Sequence, residues 1–374
     1  MNGKLIINNQ IVEEKILLFN DKIIDIVDDM IMSDSDNIEI IDAKGAYVSA
    51  GFIDLHIHGS GGADVMDATP DALEIVSTVL PQTGTTSFLA TTMTMSIQEI
   101  DKALQNIQNN AKNLTGAEIL GVHLEGPFIN ASKHGAQDEN YVQSPNFELI
   151  EKYINEVKMI TLAPEVEGGE NFVKQMKKAY PHIILSIGHS NASYEEAKQS
   201  FTWGISHATH LFNAMPGYHH REPGIIGAVF ESNVTCDIIA DLIHTHPTTL
   251  ALTHKQKGDK LILITDAMRA GCMQYGTYDL GGKHVDVKDG RAVLEDGTLA
   301  GSVLKMNEAM ANMMQHTEMR CEEVVNAVTK VPAQILGIKK GMLKKGYDAD
   351  IVIFDENFSI ITTFIDGKCK YERI

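Results

Sequence analysis

The chain has 374 residues, which is more than one compact core usually holds and suits a barrel of about 250 residues with a smaller companion domain. Apolar residues make up 44% and charged residues 22%, as in an ordinary globular protein, and no apolar run has the length of a membrane span. The net charge of -19 argues against nucleic acid or an anionic membrane as a partner.

Both ends of the chain alternate polar and apolar residues. The first 49 residues do so around turn-like "NN", "ND" and "KG" pairs, and the C-terminal segment has the same pattern. Such alternation predicts half-buried β-strands. We predict that residues 1–49 and 338–374 together form a small β-sandwich domain. The N-terminal segment also lacks the apolar core of a secretion signal, so we expect a cytoplasmic protein.

Between these flanks, a short β-branched run followed by a helical stretch recurs eight times. The runs are "FIDLHIH" (52–58), "TTSFLATT" (85–92), "ILGVHLEG" (119–126), "MITLAPE" (159–165), "IILSIGHS" (183–190), "ISHATHLF" (205–212), "VTCDIIAD" (234–241) and "LILITDAM" (261–268). Eight parallel strands are the number that closes a barrel. We therefore predict an α/β fold, a TIM-like (β/α)8 barrel over residues 50–337, with a β insertion at about 278–301.

Metal-ligating residue types stand at seven of the eight predicted strand ends: His56 with His58, Glu125, Glu165, His189, His210, Asp241 with His244, and Asp266. The carboxyl ends of barrel strands meet at one mouth, where active sites of such barrels lie. His56 and His58 are two residues apart in a strand, so both imidazoles face the same side. Imidazole and carboxylate ligands suit Zn, Fe and Mn, so the pattern predicts a divalent-metal site.

These motifs resemble a known family. "GFIDLHIHG" resembles the opening of the amidohydrolase superfamily. Together with it, "GVHLEGPFIN", "IGHSNAS", "THLFNAMPG", "REPGIIGAV", "DLIHTHP" and "ITDAM" resemble the N-acetylglucosamine-6-phosphate deacetylases over essentially the whole chain. The resemblance implies metal-dependent hydrolysis of the N-acetyl group of N-acetylglucosamine 6-phosphate. The products would be glucosamine 6-phosphate and acetate, in amino-sugar catabolism and cell-wall sugar recycling.

The resemblance also implies roles for the residues at the predicted mouth. Glu125, His189 and His210 would hold the principal metal. His56 and His58 would complete a second position, with Glu125 able to bridge, although some family members lack this pair and work with one metal. Asp266 would serve as general base and then general acid toward a metal-activated water. We expect one or two divalent metals per chain, with zinc first and iron or manganese as alternatives.

Substrate contacts follow from the same resemblance. Asn213, Ala214 and His244 are expected to contact the phosphosugar. Gln137 stands where some members carry a histidine near the acetyl group, and an amide there can donate a hydrogen bond. Arg221 matches a residue that reaches the substrate phosphate of a neighbouring subunit, which implies a homodimer with shared sites.

Three alternatives remain open at this point. The substrate could be the galactosamine epimer, because one hydroxyl's orientation depends on loop details. A cyclic-amide hydrolase of the same superfamily would carry a carboxylated lysine at the end of the fourth strand, where "MITLAPE" has none. A binding or scaffolding protein on a retired hydrolase barrel would tolerate loss of ligands that this chain keeps.

Overall fold

The computed structural model of the protein describes residues 1–28 and 38–373. Its β-strands are β1 (Lys4–Ile7), β2 (Gln10–Val12), β3 (Ile16–Phe19), β4 (Ile23–Val27), β5 (Tyr47–Ala50), β6 (Phe52–Ile57), β7 (Gly59–Ser60), β8 (Ala63–Asp64), β9 (Thr85–Thr91), β10 (Glu118–Glu125), β11 (Val157–Leu162), β12 (Ile184–Ile187), β13 (His207–Ala208), β14 (Thr235–Ile239), β15 (Leu261–Ile264), β16 (Gly276–Leu280), β17 (Lys283–Lys288), β18 (Arg291–Val293), β19 (Ile351–Phe354), β20 (Ile360–Ile365) and β21 (Lys368–Glu372).

The α-helices are α1 (Pro70–Val79), α2 (Ile97–Asn110), α3 (Gly169–Ala179), α4 (Tyr194–Trp203), α5 (Gly224–Phe230), α6 (Pro247–Lys257), α7 (Met306–His316), α8 (Cys321–Val328) and α9 (Lys330–Leu336). Capping boxes begin α2 at Ser96 with Glu99 and α4 at Ser193 with Glu196, where the sequence predicts helix starts. In the described ranges, no helix is long and apolar enough to cross a membrane.

Eight parallel strands form the predicted TIM-like barrel. Their order is β6-β9-β10-β11-β12-β13-β14-β15, which is chain order, and each of the eight predicted runs contains or overlaps one strand. The strands are shorter than the runs, and β13 has only two residues. The first and last strands, β6 and β15, are joined by backbone hydrogen bonds of the segment just after β15, which closes the barrel. Asp266 N donates to His56 O over 2.9 Å, and His58 N donates to Ala267 O over 2.9 Å.

Both chain ends contribute to a second sheet, of order β2-β1-β5-β19-β20-β21, in which β5 pairs parallel with β1 and antiparallel with β19. The hairpin β3-β4 supplies Leu17 and Phe19 to the apolar cluster on one face of this sheet, so the termini form the predicted β-sandwich. On the other face, Phe354 packs against Phe52 at the start of β6. The division at residues 49 and 338 stays a prediction.

A three-stranded antiparallel sheet, β16-β17-β18, lies between β15 and α7, in the region where the sequence predicts an insertion. The turn from β16 to β17 consists of Gly281 and Gly282, both at positive φ, between the paired residues Leu280 and Lys283. Two consecutive residues at positive φ are what a tight two-residue hairpin turn requires, and glycine adopts them without steric cost. Leu280 is buried at this tip and packs near Met93, which follows β9.

Candidate metal centre and active-site cleft

The candidate site residues lie at the carboxyl ends of the barrel strands. Glu125 is the last residue of β10, whereas His189, His210 and Asp266 each lie two residues beyond the end of a strand. These three residues have φ values of 48°, 32° and 49°, a left-handed conformation that non-glycine residues seldom adopt. Each backbone therefore turns sharply at the residue whose side chain enters the mouth.

The imidazoles converge on one carboxylate. Glu125 Oε1 lies 3.1 Å from His189 Nε2, 3.0 Å from His210 Nε2 and 3.5 Å from His56 Nε2. Glu125 Oε2 lies 3.3 Å from His58 Nε2. The sequence-predicted metal ligands are thus brought together within contact distance of Glu125.

Asp266 completes the cluster on the side of the histidine pair. Its Oδ1 lies 3.4 Å from His56 Nε2 and 3.3 Å from His58 Nε2. Burial would raise the pKa of Asp266, but the two imidazoles outweigh it and lower that pKa to about 2. Burial would likewise raise the pKa of Glu125, yet His56, His189 and His210 hold it well below its ordinary range. Both carboxyl groups are therefore ionised in this environment and available as anionic ligands.

The donor set fits a divalent cation. One ligand atom each from His56, Glu125 and His210 lie within 4.8 Å of one another, and the same holds for His56, His58 and Asp266. His189 Nδ1 donates to Lys133 O over 2.8 Å, so that its Nε2 is the nitrogen directed at Glu125. A backbone carbonyl on the second ring nitrogen is the usual way that proteins orient a metal-ligating histidine. The residues present suit one or two ions.

Two carboxylates, the buried Asp237 and the half-buried Glu165, hold the segments that carry these histidines. Asp237 on β14 accepts a hydrogen bond from His210 N and lies 2.8 Å from His207 Nε2. Glu165 accepts from Ser190 Oγ at 2.7 Å and from Asn191 N at 2.7 Å, directly after His189. Glu165 is thus placed as a support for the loop after β12, and it lies outside the two ligand clusters.

Gln137 has different contacts from those expected of a substrate-binding residue. Its Nε2 donates to Glu125 Oε2 over 2.6 Å, and its Oε1 accepts from Thr94 N over 2.7 Å. The side chain is also buried. Both ends of the amide are thus engaged by the protein, so Gln137 holds Glu125; the side chain also lines the cleft above the cluster, and its contact with the acetyl group stays a prediction.

Sequence analysis missed two residues beneath the cluster. Asp54 accepts from Thr265 Oγ1 over 2.5 Å and so joins β6 to the segment after β15, and burial raises its pKa to about 7. The ring of His123 lies 4.6 Å from that of His56, and burial together with His56 lowers the pKa of His123 to about 3. Both precede a predicted ligand by two residues, and this same-face spacing was the signal that could have found them.

A cleft of about 240 Å³ opens above the cluster. Its wall includes the predicted substrate residues Asn213, Ala214 and His244. Asn213 Nδ2 is buried without a hydrogen-bond partner among the residues that the structure describes, which leaves a donor for a ligand in the cleft. Asp241 Oδ2 lies 2.6 Å from His244 Nδ1 and so fixes the orientation of the imidazole in the cleft wall.

Arg221 is the one predicted substrate residue outside this cleft. It lies in an exposed loop after β13, where its guanidinium contacts the His220 ring at 2.8 Å. Nothing in the described part of the chain brings it to the cluster.

Comparison with known proteins agrees with this geometry. The sequence profile described as "Amidohydrolase family" matches residues 47–370. The chain belongs to the amidohydrolase family. Among curated members, an N-acetylglucosamine-6-phosphate deacetylase of Lysinibacillus sphaericus is 41% identical, covering 90% of this chain and 88% of that protein. The same-named protein of Bacillus subtilis (strain 168) is 42% identical, covering 86% and 84%.

Two further similarities bear on this amidohydrolase. A crystal structure of N-acetylglucosamine-6-phosphate deacetylase from Pasteurella multocida superimposes with a TM-score of 0.92 at 32% identity, covering 99% of this chain and 98% of that one. An N-acetylgalactosamine-6-phosphate deacetylase of Escherichia coli O157:H7 is 33% identical, covering 85% and 86%. The fold and the enzyme class are therefore shared, while relatives differ in the sugar that their names give.

Proposed function

We propose that this amidohydrolase removes the acetyl group of N-acetylglucosamine 6-phosphate, giving glucosamine 6-phosphate and acetate. The observation that carries the proposal is the convergence of Asp266 and five metal-ligating side chains at the mouth of a barrel whose relatives bear that name. Two curated relatives above 40% identity support the glucosamine substrate over its epimer.

Amide hydrolysis is difficult because water is a weak nucleophile and an amine is a poor leaving group. A divalent cation, when bound here, lowers the pKa of water and polarises a carbonyl oxygen. Glu125, His189 and His210 would hold the principal ion, and His56 and His58, together with Glu125, would hold a second. Zinc suits these donors best, and iron or manganese would also be accepted.

We assign the proton transfer to Asp266. Its ionised carboxylate would accept a proton from the attacking water at Oδ and then deliver it to the sugar nitrogen as the tetrahedral intermediate collapses. The amine then leaves as a neutral group. Because the nitrogen is protonated before the C–N bond breaks, the amine is no longer a poor leaving group.

The cleft wall offers the substrate groups of matching polarity. Asn213 Nδ2 supplies a donor with no partner in the described part of the chain, and His244 supplies an imidazole held in place by Asp241. We assign both, with Ala214, to the sugar and its 6-phosphate. The very acidic chain makes such local donors necessary for a dianionic substrate.

Arg221 would complete the site of a neighbouring subunit in a homodimer. Its guanidinium is exposed and lies outside the cleft of its own chain, whereas a guanidinium can hold a phosphate bidentately. Hybrid dimers made by mixing two variants test this assignment. Arg221→Met and Asp266→Asn homodimers are each expected to be nearly inactive, and hybrids of the two should regain activity at the one site with both groups intact. A lack of regain in proven hybrids would contradict it.

The activity is tested by acetate release. Chelator-stripped protein is titrated with zero, one and two equivalents of zinc, with N-acetylglucosamine 6-phosphate, its galactosamine epimer and the unphosphorylated sugar as substrates. Asp266→Asn should lose at least about 100-fold in kcat, the scale of general acid-base catalysis, while still binding zinc. Asp289→Asn is the matched control, because Asp289 is exposed in a turn at positive φ that asparagine also tolerates.

The outcomes separate the alternatives. Saturation at two equivalents with the glucosamine phosphate supports the proposal and a working second site. Acetate release that saturates at one equivalent of zinc would make His56 and His58 accessory to catalysis. Faster acetate release from the epimer would overturn the choice of substrate, and zinc binding without acetate release from any of the three sugars would favour the cyclic-amide or the scaffolding alternative. The segment after β11 ends in Glu165 and contains no lysine, which already disfavours the cyclic-amide chemistry.

A further inference from the structure

The β insertion touches the barrel at a loop that orients two predicted metal ligands. This loop, residues 130–137, follows β10 and makes two hydrogen bonds to side chains of the cluster. Lys133 O lies 2.8 Å from His189 Nδ1, and Gln137 Nε2 donates to Glu125 Oε2 over 2.6 Å. The loop therefore fixes the position of a histidine and a carboxylate from two different strands.

Lys283, at the tip of the β16-β17 hairpin, makes hydrogen bonds to the end of that loop. Its Nζ donates to Ala136 O over 3.1 Å and to Gln137 O over 3.0 Å. An ammonium group has three donors and no acceptor, so two carbonyls from consecutive residues are well matched to it. Lys283 contacts no predicted ligand and lies about 147 positions from the loop in sequence.

The hairpin geometry explains why this lysine reaches the mouth. The Gly281–Gly282 turn places Leu280 and Lys283 opposite each other at the tip. Leu280 is buried against Met93 and lines the cleft, so the tip is held down by apolar packing. The lysine beside it is half-buried and is thereby carried to the loop carbonyls.

We propose that Lys283 is a positioning residue, which holds the 130–137 loop through Ala136 and Gln137 and so fixes Glu125 and His189 for metal binding. The proposal rests on the proposed metal-dependent function. Contacts of this indirect kind, one shell beyond the ligands, typically change metal affinity or activity by about 10–100-fold. Because Lys283 acts one contact further out, we expect a smaller effect, about 3–10-fold.

The test compares Lys283→Met with Lys283→Arg and with Lys288→Met in the full chain. Methionine keeps the unbranched length and removes every donor, while arginine keeps donors for the two carbonyls. Lys288 is exposed on the same strand and serves as the matched control. Zinc affinity is measured by competition with a chromophoric chelator, and hydrogen exchange is followed at the amide of Gln137, which donates to His134 O over 2.9 Å.

Lys283→Met should weaken zinc binding about 3–10-fold and speed exchange in residues 130–137. Lys283→Arg should restore most of both, and Lys288→Met should match the unmodified chain. Excess zinc should bring kcat of Lys283→Met back toward normal with little change in KM. Equal zinc affinity and equal loop exchange for the two methionine variants would overturn the proposal. Because both readouts need no substrate, failure of acetate release by the unmodified chain would overturn the proposed function alone.

Discussion

Removing the ammonium of Lys340 should destabilise the protein without impairing its chemistry. Lys340 Nζ lies 2.8 Å from Asp350 Oδ2, 2.9 Å from Asp348 Oδ2 and 2.8 Å from Glu118 Oε2. Glu118 begins β10, and Asp350 precedes β19, so this cluster joins the barrel to the terminal sheet. It lies about 23 Å along β10 from Glu125, at the end of the barrel where residues serve stability.

The size of the effect follows from the burial of Asp350. The side chain of Glu118 is 49% exposed, so water replaces most of what it loses when Lys340 is removed. Asp350 is only 3% exposed and has no such replacement. Burial already raises the pKa of Asp350 while Lys340 opposes that rise. In Lys340→Met, no ammonium counters the effect of burial on the pKa of Asp350. The largest cost is then that of protonating the Asp350 carboxyl when the chain folds. From an ordinary value of 3.8, at 1.36 kcal/mol per pKa unit, that costs about 4 kcal/mol at pH 7 and about 2 kcal/mol at pH 5.

The sign of the pH dependence is distinctive. A carboxyl whose folded pKa is raised binds more protons in the folded state, so stability falls as the pH rises above its ordinary pKa. The raised pKa of Lys340 contributes stability in the unmodified chain that is fully present below 10.5 and is constant over this range. The stability deficit of Lys340→Met should therefore grow from pH 5 to pH 7.

Urea unfolding followed by circular dichroism at both pH values measures the deficit, with kcat measured separately on folded protein. Lys345→Met is the control, since its side chain is 75% exposed and lies 3.7 Å from Asp25, and it should cost about 0.5 kcal/mol or less. Lys340→Met with Asp350→Asn should recover part of the loss. A deficit of equal size at pH 5 and pH 7, or one matched by Lys345→Met, would refute the reasoning.

Three further predictions concern the mouth of the barrel. Asp237→Ala should weaken zinc binding about 10–100-fold in a chelator competition, because His210 and His207 lose their shared acceptor; unchanged affinity would contradict this. Adding zinc at about 1,000 times its dissociation constant should stabilise stripped protein by about 4 kcal/mol and raise Tm, and calorimetry without such a shift would argue against a preformed site. Gly126→Ala should lose more stability than Gly346→Ala, although both have positive φ, because only at Gly126 would the new Cβ lie 2.0 Å from Thr94 Oγ1.

The barrel could be predicted from the sequence because each strand is a β-branched run that ends in a polar residue. Those ends also located the metal-ligand candidates, since the carboxyl ends of parallel strands meet. The lengths of the strands were less predictable: His210 lies two residues beyond β13, although the apolar pattern runs through it. Backbone pairing there is decided by the neighbouring strands and not by local composition.

The supports of the site were harder to foresee. Gln137 was expected at the substrate, and only the folded loop shows that its amide is engaged by Glu125 and Thr94. Lys283 reaches that loop across a distance in sequence that no local pattern reports. Such contacts depend on how separate segments meet, whereas the ligands themselves are marked by residue type at strand ends.

The left-handed backbone at His189, His210 and Asp266 has a consequence for the stability of this chain. Residues held in such conformations cost about 1–3 kcal/mol each, and glycine or asparagine would relieve much of that cost. Asparagine at any of these three positions would therefore gain backbone stability while losing a group able to bind metal or move a proton. The same argument makes Asp266→Asn an inactive protein that should unfold no more easily than its parent.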